Sequence, residues 1–142
     1  MYLRFDCSLD LLEIGMILEP GSSADSFEHD SENVYEWMWI RIPRVPCLLN
    51  VSREHGWADL DDSLLDIDSK VDRSELHSLV KPGPVYISNW NASRDQCEES
   101  LPDWLPQHVA DQLTVEVFVF SGDLNVDSPD SNPIRNVKPR QQ

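Results

Sequence analysis

The apolar residues of this chain come in short blocks of period two, each cut off by proline or charge before it lengthens. Across 114–121, Val115, Val117 and Val119 alternate with Glu116, Phe118 and Phe120, the pattern of a strand with two differently used faces. Across 34–42, Tyr35, Trp37, Trp39 and Arg41 fall on one face and Val34, Glu36, Met38, Ile40 and Ile42 on the other, because successive strand side chains point oppositely. One face is then a core and the other an aromatic stripe. Tyr2 to Asp6 and Val85 to Trp90 are further strands, the second of them central, and Cys47 to Val51 is a third. Ser8 is placed to cap a single turn over Leu9 to Leu12, after which Ile14 to Leu18 reads as a short extended run into Pro20-Gly21. Pro43 and Pro46 end the 34–42 strand, since proline cannot donate to a ladder.

Helical spacing enters between these blocks. Leu60, Leu64, Ile67 and Val71 recur at i, i+4, i+7 and i+11 among six aspartates, which predicts an acidic helix over 58–72 with one buried side. Residues 74–80 and 93–100 are further helical segments, and Leu101 to Leu113 is another, beginning either at Leu101 behind Ser100 or at Leu105. Gly21 to Asn33 is rich in Ser, Asp and Glu and reads as a long exposed loop. The expected architecture is α+β: a single domain with a mixed or antiparallel sheet of about five to six strands and two to three helices. It spans 1–122, followed by a polar Pro/Asn/Asp-rich tail over 123–142 that is either disordered or laid across the domain.

Charge narrows the function. Eleven Lys and Arg against 26 Asp and Glu leave a formal net charge of −15, so there is no surplus of cations to exchange for phosphate counterions, and direct nucleic-acid binding is excluded as an expectation. No run approaches the roughly 18 apolar residues of a membrane helix. The first residues read as a strand and lack the features of a secretory signal, so the expected location is the cytoplasm. Cys7, Cys47 and Cys97 are odd in number and widely spaced, without a CxxC pair, and read as reduced, buried thiols. His29, His55, His77 and His108 make no metal-binding spacing with one another. The aspartates of 58–72 lack the glycine and terminal glutamate of a calcium loop. Nucleophile elbows and phosphate-binding glycine loops are absent. Neither a cofactor nor an enzymatic reaction is expected.

Five tryptophans, at 37, 39, 57, 90 and 104, exceed what a core of this size readily absorbs. Trp57 and Trp104, bounded by polar or proline-containing sequence, are the two expected near the surface, where tryptophan anchors partners. Together with the acidic surplus this reads as a binder of something basic. In size, charge and lack of catalytic motifs the chain resembles the small acidic immunity proteins that bacteria pair with polymorphic toxins, including those of contact-dependent inhibition. The resemblance implies a cognate nuclease-type toxin as partner, its cationic cleft occluded by an acidic surface. The expected contact residues are Asp59, Asp61, Asp62, Asp66, Glu98, Glu99 and Asp103, with Trp57 or Trp104.

A second reading starts from Arg4 in the opening strand and from 12–18, which are similar to the start of ADP-ribosyltransferase-like domains. That resemblance implies an NAD site carried by Arg4, Ser88 and Glu116, though Glu116 lacks the paired upstream Glu or Gln and Ser88 is not in an STS run. Against it, charged residues alternate with apolar ones on any half-exposed strand.

Overall fold

A computed structural model describes residues 1–27, 29–32, 35–55, 82–89, 101–122, 124 and 132–140. Their strands are β1 (Tyr2–Phe5), β2 (His29–Glu32), β3 (Tyr35–Ile40), β4 (Leu49–His55), β5 (Pro82–Ser88), β6 (Val117–Phe120) and β7 (Arg135–Val137). All pair antiparallel in one sheet of order β2-β3-β4-β5-β1-β6-β7. Two helices, α1 (Leu11–Leu18) and α2 (Leu105–Leu113), pack against each other and against the sheet, α1 over β3 and β4 and α2 over β6 and β7. This is the α+β class expected, and β5 is its middle strand.

Register assigns every described side chain to a face. Leu3, Met38, Val51, Val85, Ile87, Val117 and Val119 join Leu11, Ile14, Leu18, Leu105, Val109 and Leu113 in the main core beneath the helices. Tyr2, Tyr86 and Phe120 form a smaller cluster on the opposite face, with Phe118 and Leu124 against it. Trp39, 8% exposed, lies on that second face, its register partner being Asn50. Trp37 and Trp39 of the aromatic stripe expected over 34–42 therefore lie on the face that backs the sheet, and Met38, Ile40 and Ile42 are the half that enters the main core.

The helix-side face also buries two charged residues. Glu36 and Arg53 are direct register partners on β3 and β4, each 0% exposed. Arg53 donates to the carbonyls of Leu9 at 2.8 Å and Cys7 at 2.6 Å, so its guanidinium holds the chain that leads into α1. Burial pulls its pKa below the usual arginine value, against the opposing pull of Cys7, Asp10 and Asp6.

Three local expectations are corrected. Residues 14–18 are helical, not extended: Leu11, Ile14, Gly15 and Leu18 are buried at i, i+3, i+4 and i+7, and Asp10, not Ser8, caps the helix by accepting the Leu12 N–H at 2.9 Å. At Gly15 a Cβ would fall 2.2 Å from the Met38 methyl and 3.0 Å from the Phe27 ring, so a larger residue has to move the end of the Met38 side chain. The loop expected over 21–33 contains a 3₁₀ turn at Ala24–Ser26 and then β2, an edge strand whose composition, His-Asp-Ser-Glu, has no strand preference. Cys47, expected as a reduced thiol, is disulfide-bonded, while Cys7 is a free, half-buried thiol. Sequence spacing does not report which sulfurs are neighbours in space.

Of the two helix starts left open, Leu105 is the observed one, with Trp104 at the N-cap position and Pro106 in the first turn. The C-terminal segment is laid across the molecule over 132–140: β7 pairs with β6, and the Ile134 N–H donates to the Val119 carbonyl at 2.8 Å. The helices expected over 58–72, 74–80 and 93–100 lie outside the described residues.

Candidate functional site

Of the expected contact residues, Asp103 and Trp104 are described; Trp57, Asp59, Asp61, Asp62, Asp66, Glu98 and Glu99 lie outside the described residues. Asp103 and Trp104 sit in the turn that starts α2, where the Leu105 N–H closes on the Pro102 carbonyl at 3.1 Å. Asp103 is exposed and the indole of Trp104 is half-buried. The guanidinium of Arg44 lies 4.8 Å from the indole centroid and the ring of His108 meets it edge-on at 5.7 Å. Asp103 and Trp104 thus stand together, but in a corner lined with nitrogen rather than with further acid.

A tight turn brings Arg44 to this corner. Ile42, Pro43, Arg44 and Val45 form it, closed by the Val45 N–H on the Ile42 carbonyl at 3.0 Å. Proline stands at the second position and Arg44 at the third with φ +71°, a place that favours glycine, since a left-handed L-residue costs about 1–2 kcal/mol. The strained arginine is stabilised by its cation–π interaction, worth about 0.5–1 kcal/mol at an exposed site. Burial, then the nearby Arg44 charge, pulls the His108 pKa below 6.5, with Asp111 acting the other way, so His108 is neutral at physiological pH.

Behind α2, the C-terminal strand supplies the partners. Arg140 closes on Asp111 with a backbone N–H at 2.9 Å and guanidinium hydrogen bonds at 2.9 and 2.6 Å. Those bonds hold the Asp111 carboxyl down at about 2. Gln107 donates to Asp111 at 2.9 Å and to the Lys138 carbonyl at 3.0 Å, and Arg135 donates to the Asp103 carbonyl at 3.3 Å. Sequence reasoning missed Arg44, Arg135 and Arg140. The Pro43-Arg44 dipeptide carries a turn signal, but no pattern discloses which ring the arginine covers.

Arg4 on β1, Ser88 on β5 and Glu116, just before β6, fall on the second face of the sheet, though not in one cluster. Arg4 pairs across to Tyr86 and Phe118, which sets Ser88 two residues to one side of it and Glu116 two residues to the other, roughly 7 Å along the strands each way. Arg4 rests over the rings of Phe118 and Phe120 at 5.3 and 4.9 Å. Glu116 accepts from the Asn136 amide at 2.7 Å, and Ser88 is buried. The three mark a diagonal with Arg4 at its middle. Among the described residues no group of three or more His, Cys, Asp or Glu is placed to hold a metal, and no helix is long and apolar enough to cross a membrane.

No family model, no curated protein and no solved structure matches this chain.

Proposed function

We propose that this chain is a non-enzymatic acidic binding protein that neutralises a basic protein partner, and that it acts as an immunity protein occluding the active site of a nuclease-type toxin. One observation carries the reading: five of the seven described lysine and arginine side chains are turned onto the protein itself, while carboxylates stay open. Arg53 is buried on backbone carbonyls, Arg140 closes on Asp111, Arg135 reaches a carbonyl, and Arg4 and Arg44 lie on aromatic rings. Asp6, Glu13 and Asp25 are exposed or half-exposed, and among the described residues no cation comes within ion-pair distance of them. Such a field steers a positively charged protein toward its surface and disfavours nucleic acid.

In this reading Asp59, Asp61, Asp62, Asp66, Glu98, Glu99 and Asp103 supply the charge and Trp57 or Trp104 an anchor. The protein acts in the cytoplasm, where a nuclease finds its substrate. The disulfide at Cys47 is the feature that speaks for an oxidising compartment instead, and alkylation of thiols in protein taken directly from its host separates the two locations. A tagged pull-down from that host, washed at low and at high salt, tests the function. A single basic protein retained in stoichiometric amount and released by salt is the expected result. Retention of no basic protein overturns the reading. Binding of NAD, abolished by Glu116→Ala, would establish instead the ADP-ribosyltransferase-like reading. That alternative is favoured by Arg4 having no carboxylate within ion-pair distance among the described residues, and disfavoured by the diagonal spacing.

A further inference from the structure

An eight-residue helix that buries one face should carry polar residues on the other. α1 does not. Its inward positions are Leu11, Ile14, Gly15 and Leu18, and its outward ones are Leu12, Glu13, Met16 and Ile17, three of four apolar. Ile17 is 37% exposed, one of two large hydrophobic residues exposed among the described residues. Met16 is half-buried and, like Ile17, stays outside the core cluster, whereas Leu12 packs against that cluster at its edge. Methionine beside a branched aliphatic is a surface that adapts to a partner.

What surrounds this face selects its occupant. Residues 1–27 contain five carboxylates, Asp6, Asp10, Glu13, Glu19 and Asp25, and a single cationic side chain, Arg4. Arg4 is on the sheet face away from α1. Two further described cations are tied to this end of the molecule. Arg53 is fully buried, and Arg41, an exposed residue, meets Glu19 through its backbone N–H at 2.5 Å, so carboxylates still outnumber exposed cations at this end. A second copy of the chain is a poor fit, because pairing α1 with α1 would bring two acidic rims together, and like charges across an interface oppose association.

We propose that the outward face of α1 is a docking surface for an amphipathic basic segment of a partner protein, with Met16 and Ile17 receiving its apolar side and Glu13, on the same face, its cations. This rests on the acidic-binder reading and names a binding surface for it beyond the residues proposed above. The test uses the full chain and two probes: a short amphipathic lysine/leucine helical peptide and an oligolysine of equal charge. The amphipathic peptide should bind more tightly, shift the backbone amide resonances of 12–19, and lose about tenfold or more in affinity on Ile17→Asp, the scale of losing an anchor residue.

The substitution adds a negative charge, so binding by charge alone would tighten, and the two mechanisms predict opposite signs. Equal binding of both peptides, tightened by Ile17→Asp, overturns the α1 surface and leaves the acidic-binder reading standing. Failure of both peptides to bind overturns the surface and removes the charge-driven reading with it. A concentration-dependent dimer that Ile17→Asp dissolves would assign the face to a second copy and overturn the proposal. Ile17→Ser, with unchanged charge and a circular dichroism spectrum to match, controls for folding.

Discussion

Around α2, Asp111 holds Arg140 and Glu116 holds Asn136, both partners coming from the C-terminal segment that carries the last strand of the sheet. Around α1, Glu13 and Asp25 face solvent, and the helix turns leucine, methionine and isoleucine outward as well. The two helices touch and cover the same face of the same sheet, yet side chains of the C-terminal segment close on carboxylates around one, while around the other Asp10 and Glu19 meet only backbone N–H groups and Glu13 and Asp25 stay open. A net charge is thus a poor description of such a surface. What matters to an approaching partner is which carboxylates the fold has already answered, and the C-terminal segment answers those of one helix only.

The contrast is broken most severely from beneath α1. Arg53→Ala removes the guanidinium that fastens Cys7 and Leu9 and leaves Glu36 buried opposite an alanine. Hydrogen bonds from a charged donor contribute about 1.5–3 kcal/mol each, and two are lost together, so urea unfolding should show the loss, with the surroundings of α1 melting before those of α2. Gly15→Val is smaller. Its side chain must displace Met38 and Phe27, and overpacking of this kind costs about 1–3 kcal/mol, seen as a lower midpoint of thermal unfolding.

Arg44→Gly tests the closed corner. The substitution relieves the left-handed strain and removes the cation–π attraction, opposing effects of about 1 kcal/mol each, so stability should move little. The clear readout is His108: without the Arg44 charge its pKa rises, which an NMR titration of the imidazole reports. The mildest effect is acidification. Asp111 is depressed in the folded protein to about 2 from 3.8, so its contribution is complete above the ordinary value and lost as pH falls through about 2. Over that window the Arg140 amide resonance should move as its bond to Asp111 opens, while the resonances of 11–18 stay fixed.

These differences also mark what the amino-acid order discloses. β1, β3, β5 and β6 are legible because their apolar residues alternate, and the start of α2 because Pro106 falls where an amide donor is not needed. α1 reads wrongly as extended because Ile14, Met16, Ile17 and Leu18 suit a strand as well as a helix, and only tertiary burial of Leu11, Ile14, Gly15 and Leu18 decides between the two. β2 and β7 are polar edge strands, recruited by the register of β3 and β6 rather than by preference of their own. Asp103 and Trp104 are found as neighbours, but the arginines that line their corner come from a turn and a strand far along the chain, where no local pattern points to them.

β1 is flanked by β5 on one side and β6 on the other. On a ribosome, this early strand must wait with both edges bare until residue 82 has emerged for the first partner and residue 117 for the second. β1 is thus completed only by pairings of high sequence separation, and long-range closure of this kind is slow. The nascent chain is most vulnerable to edge-to-edge aggregation during that interval, and a rearranged chain in which β5 precedes β1 should escape it.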